Sequence, residues 1–200
     1  MKGTRVLMVV AVGLMLIQSG CGSESTARVG FLSDYSRLRT ESSTSLRYIN
    51  QQALARYSSF VVDRVHVHFH SGSKSQGKLT QQQINDLTSY MHANIVVAVK
   101  NSGKKVVYQP APGAARIRVA LTDIEKTNAV NILPQASLIG AGLGGASMEA
   151  EIIDSMTGEQ IGAVVESQKG SRIPFSNLGE WTTAKKIMDD WGKRLQQRLQ

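Results

Sequence analysis

The stretch Met148-Glu149-Ala150-Glu151-Ile152, followed by Asp154-Ser155-Met156-Thr157-Gly158-Glu159 and then Ile161, Ala163 and Val165, decides the architecture. Met148, Ala150 and Ile152 alternate with two glutamates, which is the period of a strand with one apolar face. Asp154 to Glu159 carries turn chemistry, and the alternation resumes beyond it, so the sequence predicts a β-hairpin. Arg116 to Ile124 alternates in the same way, with Ile117, Val119 and Leu121 pointing inward. If Arg116 and Arg118 lie beside Glu149 and Glu151 on a solvated face, cross-strand ion pairs worth ~0.2 to 1 kcal/mol each set the register.

Working outward, Phe60 to His70 reads as one further strand. Val61, Val65, Val67 and Phe69 share one face, and Arg64, His66, His68 and His70 share the other. Asp63 falls in the apolar row and reads as a strand-end carboxylate reaching a backbone donor. Lys105 to Gln109 is a short strand and Pro110 to Gly113 a turn. Three helical patterns complete the set. Leu46, Ile49, Ala53, Leu54 and Tyr57 predict a short amphipathic helix. Thr80 and Gln83 form a capping box ahead of Ile84, Leu87, Met91, Ile95 and Val99. Trp181, Ala184, Met188, Trp191, Leu195 and Leu199 make one stripe of a helix over 180–200. The fold expected is α+β: a single domain with a mainly antiparallel sheet and helices packed on one face.

The N-terminus addresses the protein. Lys2 and Arg5 precede an apolar run from Val6 to Ile17, too short to span a bilayer, which takes ~20 residues as a helix. Small residues follow, and Ser19-Gly20-Cys21 resembles the lipobox of bacterial lipoproteins, with Gln18 departing from the usual aliphatic residue. Residues 1–20 are read as a lipoprotein signal peptide, Cys21 as the lipidated residue, 21–44 as a lipidated N-terminus and linker, and 45–200 as one α+β periplasmic domain. Within the linker, Phe31, Leu32, Tyr35 and Leu38 form an apolar knot expected to pack on the body. With each buried methylene worth ~0.8 kcal/mol, two or three acyl chains form a lasting anchor.

The chain carries +8, from 23 basic and 15 acidic residues. Without Lys2 and Arg5 the balance is 21 against 15, or +6. In an exported protein that charge meets lipid headgroups, lipopolysaccharide phosphates and peptidoglycan carboxylates, and nucleic acid is not an expected partner. With a single cysteine, Cys21, no disulfide can brace the core, which must rest on packing.

The residues Gly30-Phe31-Leu32, Asp34-Tyr35-Ser36 and Leu38 are similar to a signature of an uncharacterised family of proteobacterial lipoproteins known only as a domain of unknown function. So are Leu46 to Asn50 leading into Val61 to Val65, Arg116 to Ala120, and Gly145 to Glu159 with Trp181 and Trp191 beyond. The match covers nearly all of the mature chain. It implies an envelope lipoprotein and, because Gly22 rather than Asp follows the cysteine, the outer membrane. It implies no activity.

Other stretches carry motifs that bear on chemistry or binding. His66, His68 and His70 put three imidazoles on one strand face, where neighbours two apart can chelate a divalent metal. A solvated strand face is the plainer account. Gly140 to Gly145 satisfies G-x-G-x-x-G but leads into a strand rather than a helix, which excludes the dinucleotide reading. Ser71-x-x-Lys74 and Ser75-x-x-Lys78 match a penicillin-binding motif but lie in a polar loop without Lys-Thr-Gly. Thr127 to Met148 has no charge, and it reads either as core or as an apolar flap in which Leu138, Ile139 and Leu143 bind a partner. The sequence therefore points to an outer-membrane-anchored lipoprotein, facing the periplasm. It would act as a non-enzymatic binding or scaffolding component of the envelope, without cofactor. Its partners would be the membrane, through the lipid anchor, and an envelope protein or peptidoglycan. The alternative is a metal-linked hydrolase of the cell wall.

Overall fold

The structure is a computed structural model that describes residues 27–73, 75–127, 143–170 and 179–200. Its centre is the hairpin expected from the sequence: β7 (Leu143–Asp154) and β8 (Gln160–Lys169) pair antiparallel, with Ala150 opposite Val164 and Glu149 opposite Val165. The turn is held by the Asp154 carboxylate, which accepts from the backbone N–H groups of Met156 (2.9 Å) and Thr157 (2.7 Å). Gly158 supplies the positive φ of 75° that closes it. The long strand β6 (Ala114–Thr127) pairs antiparallel with β7, placing Arg118 opposite Glu151 and Val119 opposite Ala150.

β1 (Arg39–Ser42) and β2 (Ser45–Ile49) extend the sheet antiparallel beyond β8, while β3 (Ser59–Val62) and β5 (Lys105–Val107) extend it on the other side of β6. The order is β1-β2-β8-β7-β6-β3-β5, with β4 (His66–Val67) also on β6. β3, β4 and β5 join parallel, because the chain between β3 and β5 crosses over through a helix instead of turning back. The sheet is thus mostly antiparallel and the fold α+β.

α1 is a single turn, Gln51–Leu54; α2 runs Gln81–Asn101 and α3 Thr182–Leu199. α2 starts at the predicted capping box, Thr80 and Gln83. α2 and α3 pack on each other and on one face of the sheet, burying Leu87, Met91, Ile95 and Val99 with Ile187, Met188 and Trp191 against Ile117, Val119, Leu121 and Met148. Among the described residues no helix is long and apolar enough to cross a membrane.

Two expectations fail in instructive ways. Leu46 to Tyr57 is not one helix: its first half is β2, paired with β8 through Leu46 to Val165 and Tyr48 to Ala163. Both faces of the sheet are covered here, so Leu46 and Tyr48 pack on one side and Ile49 on the other. Apolar residues on both faces hide the period of two and imitate helical spacing. Phe60 to His70 is likewise not one strand, since the ladder breaks between Val62 and His66. Asp63 sits at that break, and its carboxylate faces the Arg116 guanidinium at 3.5 Å instead of a backbone donor.

Candidate functional site

Because β7 alternates, Glu149 and Glu151 must point away from the helices. That face was expected to be wet. Instead Glu149 is 0% and Glu151 1% exposed, because residues 28–38 lie across the sheet as a strap. Leu32 and Leu38 of the strap are buried against Ala163 and Val165, with Phe31, Tyr35, Leu46 and Tyr48 around them. The knot and β1 both fall within the stretch read as lipidated N-terminus and linker.

The polar side of this contact is a clamp. The Glu149 carboxylate accepts from the backbone N–H of Val29 (2.7 Å) and Phe31 (3.1 Å) and from the Tyr35 hydroxyl. Glu151 accepts from the Ser33 N–H (2.9 Å) and hydroxyl (2.7 Å), from the Gln160 amide (3.0 Å) and from Arg118 (2.5 Å). Gln160 also donates to the carbonyl of Asp34 at 3.0 Å. Residues 29, 31 and 33 thus all reach carboxylates two apart on β7, with Gly30, at a φ of 79°, bending the strap between the first two. Arg118 lies over the Phe31 ring (4.9 Å) and Arg28 over Tyr35 (5.6 Å), adding cation–π contacts of about 0.5 to 1 kcal/mol each. Of the two ion pairs expected with the glutamates, Arg118 makes one, and Arg116 is taken by Asp63.

Burial, and then the hydrogen bond to Glu149, push the Tyr35 phenol up to about 12. Burial and the hydrogen bond to Asp154 do the same for Tyr57, also to about 12. Unfolded tyrosines ionise near pH ~10. The neutral phenol is the form the fold favours, so this stabilisation is complete below pH ~10 and is lost as pH rises from there through 12. Stability is therefore expected to fall steeply across that window. Tyr35→Phe should make the fall shallower and should remove one late-ionising phenol from the tyrosinate absorbance titration.

The histidine row does not converge. His66 and His68 are exposed with ring centroids 6.3 Å apart, and His68 stands edge-on to Phe31 at 5.5 Å. His70 Nδ1 accepts from the Gly72 N–H at 3.1 Å, which places its proton on Nε2, 3.8 Å from Asp123. Among the described residues no group of three or more His, Cys, Asp or Glu is arranged to hold a metal ion. Ser75 is buried with its hydroxyl on the Ile124 carbonyl, and Ser73 donates to Asp123 at 2.7 Å, so both act as loop ties. Gly144 and Gly145 are explained by close packing: a Cβ would come within 2.6 Å of Thr127 Oγ1 and 2.8 Å of the Gln168 carbonyl respectively. Leu143 is half-buried at the start of β7, opposite Thr127. Leu138, Ile139 and Cys21 lie outside the described residues.

Residues 28–195 match the model of a family described as "Protein of unknown function (DUF3313)". The chain belongs to this family. The matched region begins with the strap, so the strap and its clamp are part of the family's domain. No curated protein matches the chain. Among solved structures it is similar to the PelC dodecamer from Paraburkholderia phytofirmans, at 14% identity and a TM-score of 0.47, over 76% of this chain and 96% of that one. It is also similar to a minor lipoprotein from Acinetobacter baumannii, at 9% identity and a TM-score of 0.37, over 72% and 92%. These likenesses are too distant to carry an argument about assembly or partner.

Proposed function

We propose that this DUF3313 protein is a lipoprotein anchored through Cys21 in the outer membrane, facing the periplasm, and that it acts there as a non-enzymatic binding or scaffolding component of the envelope. One observation carries the reading. The two fully buried carboxylates are engaged by the chain's own N-terminal strap, Arg118 and Gln160, and are shut off from solvent, which is a holding role. What they hold is the segment that follows the lipidated cysteine. From Cys21 to Arg28 the chain can reach at most ~25 Å, so the clamp keeps the folded body against the membrane.

The tether is tested by Cys21→Ser, which is expected to move the protein from the membrane fraction to the soluble periplasm. Unchanged fractionation would remove the lipid anchor from the proposal. Crosslinking in cells, followed by identification of what copurifies, tests the scaffolding role. The hydrolase alternative draws only on the row His66, His68 and His70. Release of soluble fragments from purified peptidoglycan sacculi by the protein with zinc, abolished by replacing the three histidines, would establish it in place of the scaffold.

A further inference from the structure

α3 lies over β6 and β7, and α2 over β3, β4 and β5, so the helices roof the sheet unevenly. Toward β8 and β2 the same face opens into a cavity of about 120 Å³ between the sheet and α3. Its floor includes Ala150 and Gly162, small residues that leave the space, and its walls include Ile49, Met91, Trp191 and Leu195. Three arginines also line it: Arg47, Arg194 and Arg198. Arg47 is paired with Glu41, and Arg194 with Glu166 at 2.6 Å. The half-buried Arg198 guanidinium has no partner among the described residues. Trp191 is 3% exposed, and its indole N–H is buried with no acceptor among the described residues.

A guanidinium at the mouth of an apolar cavity describes the kind of ligand that fits it. A dry apolar cavity of ~150 Å³ holds a molecule the size of benzene, so this one takes a few methylenes and its open side admits the rest of a chain. A sugar or peptide would bury hydroxyls or amides against aliphatic walls that cannot pair them. A purely aliphatic guest would leave Arg198 without an acceptor. An apolar chain ending in anionic oxygens supplies one, and guanidinium is suited to phosphate.

We infer that this cavity binds the acyl chain of an anionic phospholipid, with Arg198 receiving the phosphate. The inference deepens the envelope reading and rests on it for access to lipid. Its test does not depend on cellular location, so the two fail separately: fractionation judges the anchor, and binding in solution judges the cavity.

The experiment uses the full mature chain with Cys21→Ser, which carries no lipid of its own, and with Trp181→Phe, which leaves Trp191 as the reporter. It is titrated with lysophosphatidylglycerol brominated along the acyl chain, below the concentration at which micelles form. The expected result is saturable quenching of Trp191 fluorescence. Arg198→Gln should weaken it by about tenfold, the worth of one charge-assisted hydrogen bond. Ala150→Leu should fill the floor and abolish it. Absence of quenching overturns the inference. So does equal quenching by the zwitterionic lysophosphatidylcholine that Arg198→Gln leaves unchanged, and so does full competition by inorganic phosphate alone, which would mean a free-anion site. If Ala150→Leu does not fold, the Arg198→Gln and headgroup comparisons still decide.

Discussion

Glu149→Ala is expected to lower the unfolding free energy by about 3 to 5 kcal/mol and to release residues 28–38 from the sheet. The carboxylate makes three hydrogen bonds to the strap, and its removal strands the Val29 and Phe31 N–H groups over an apolar surface. The strap can regain water only by lifting, which then exposes Leu32 and Leu38. Glu149→Gln separates charge from shape. A carboxamide offers one oxygen where the carboxylate offered two, so one of the two backbone N–H groups must face an NH2 whichever way the amide is turned. Its cost should be smaller, about 1 to 2 kcal/mol. Denaturant unfolding gives the totals, and hydrogen exchange at residues 29, 31 and 33 shows whether the loss is local. Unchanged stability and full protection in Glu149→Ala would mean the apolar contacts alone hold the strap. For the proposed function the consequence is reach: a strap released as far as Leu38 lengthens the tether from seven residues to seventeen, to roughly 60 Å.

The hairpin, β6, α2 and α3 were legible because polar and apolar residues alternate along the strands and the helices carry one apolar stripe, so period 2 or period 3.6 stands clear. β2 was not. It is covered on both sides, by the strap against Leu46 and Tyr48 and by the helical layer against Ile49, and its residues carry no clean alternation. Burial of Glu149 and Glu151 was hidden for a related reason. A glutamate alternating with Met148, Ala150 and Ile152 reads as solvated unless something supplies donors, and here three of the donors are the backbone N–H groups of Val29, Phe31 and Ser33, which leave no trace in side-chain identity. A signal did exist in the knot itself, since Phe31, Leu32, Tyr35 and Leu38 needed an apolar face and the sheet had only one left. The cavity was out of reach of any periodicity. It arises from where α3 stops covering β8, and from Ala150 and Gly162 falling diagonally across neighbouring strands on one face, Ala150 opposite Val164 and Gly162 opposite Ile152.

Trp191→Ala is expected to cost about 3 to 5 kcal/mol and, for a chain of this size, to lower the melting temperature by roughly 6 to 20 °C. Trp191 packs among Met188, Met91 and Ile95 at the α2–α3–sheet junction, and little there can move to fill its place. Backbone and side-chain atoms of Asn94 on α2 lie 3.5 Å from where a Cβ at Gly192 would stand, so the two helices already touch beside the indole. Tyr90 and Asn94 on α2 also bind the Asp189 carboxylate of α3 at 2.7 and 2.9 Å, which pins the helices at their present spacing. The hole left by the indole therefore stays, and merges with the cavity under α3. Trp191→Phe divides packing from polarity. The indole N–H has no acceptor among the described residues, so losing it forfeits no hydrogen bond there, and phenylalanine should cost only about 1 to 2 kcal/mol, for the lost volume. Thermal melts of the pair separate these roles: a large loss of stability in Trp191→Phe would mean the N–H is already bonded in the folded protein, and a melting temperature undisturbed by Trp191→Ala would mean the residue is not core at all.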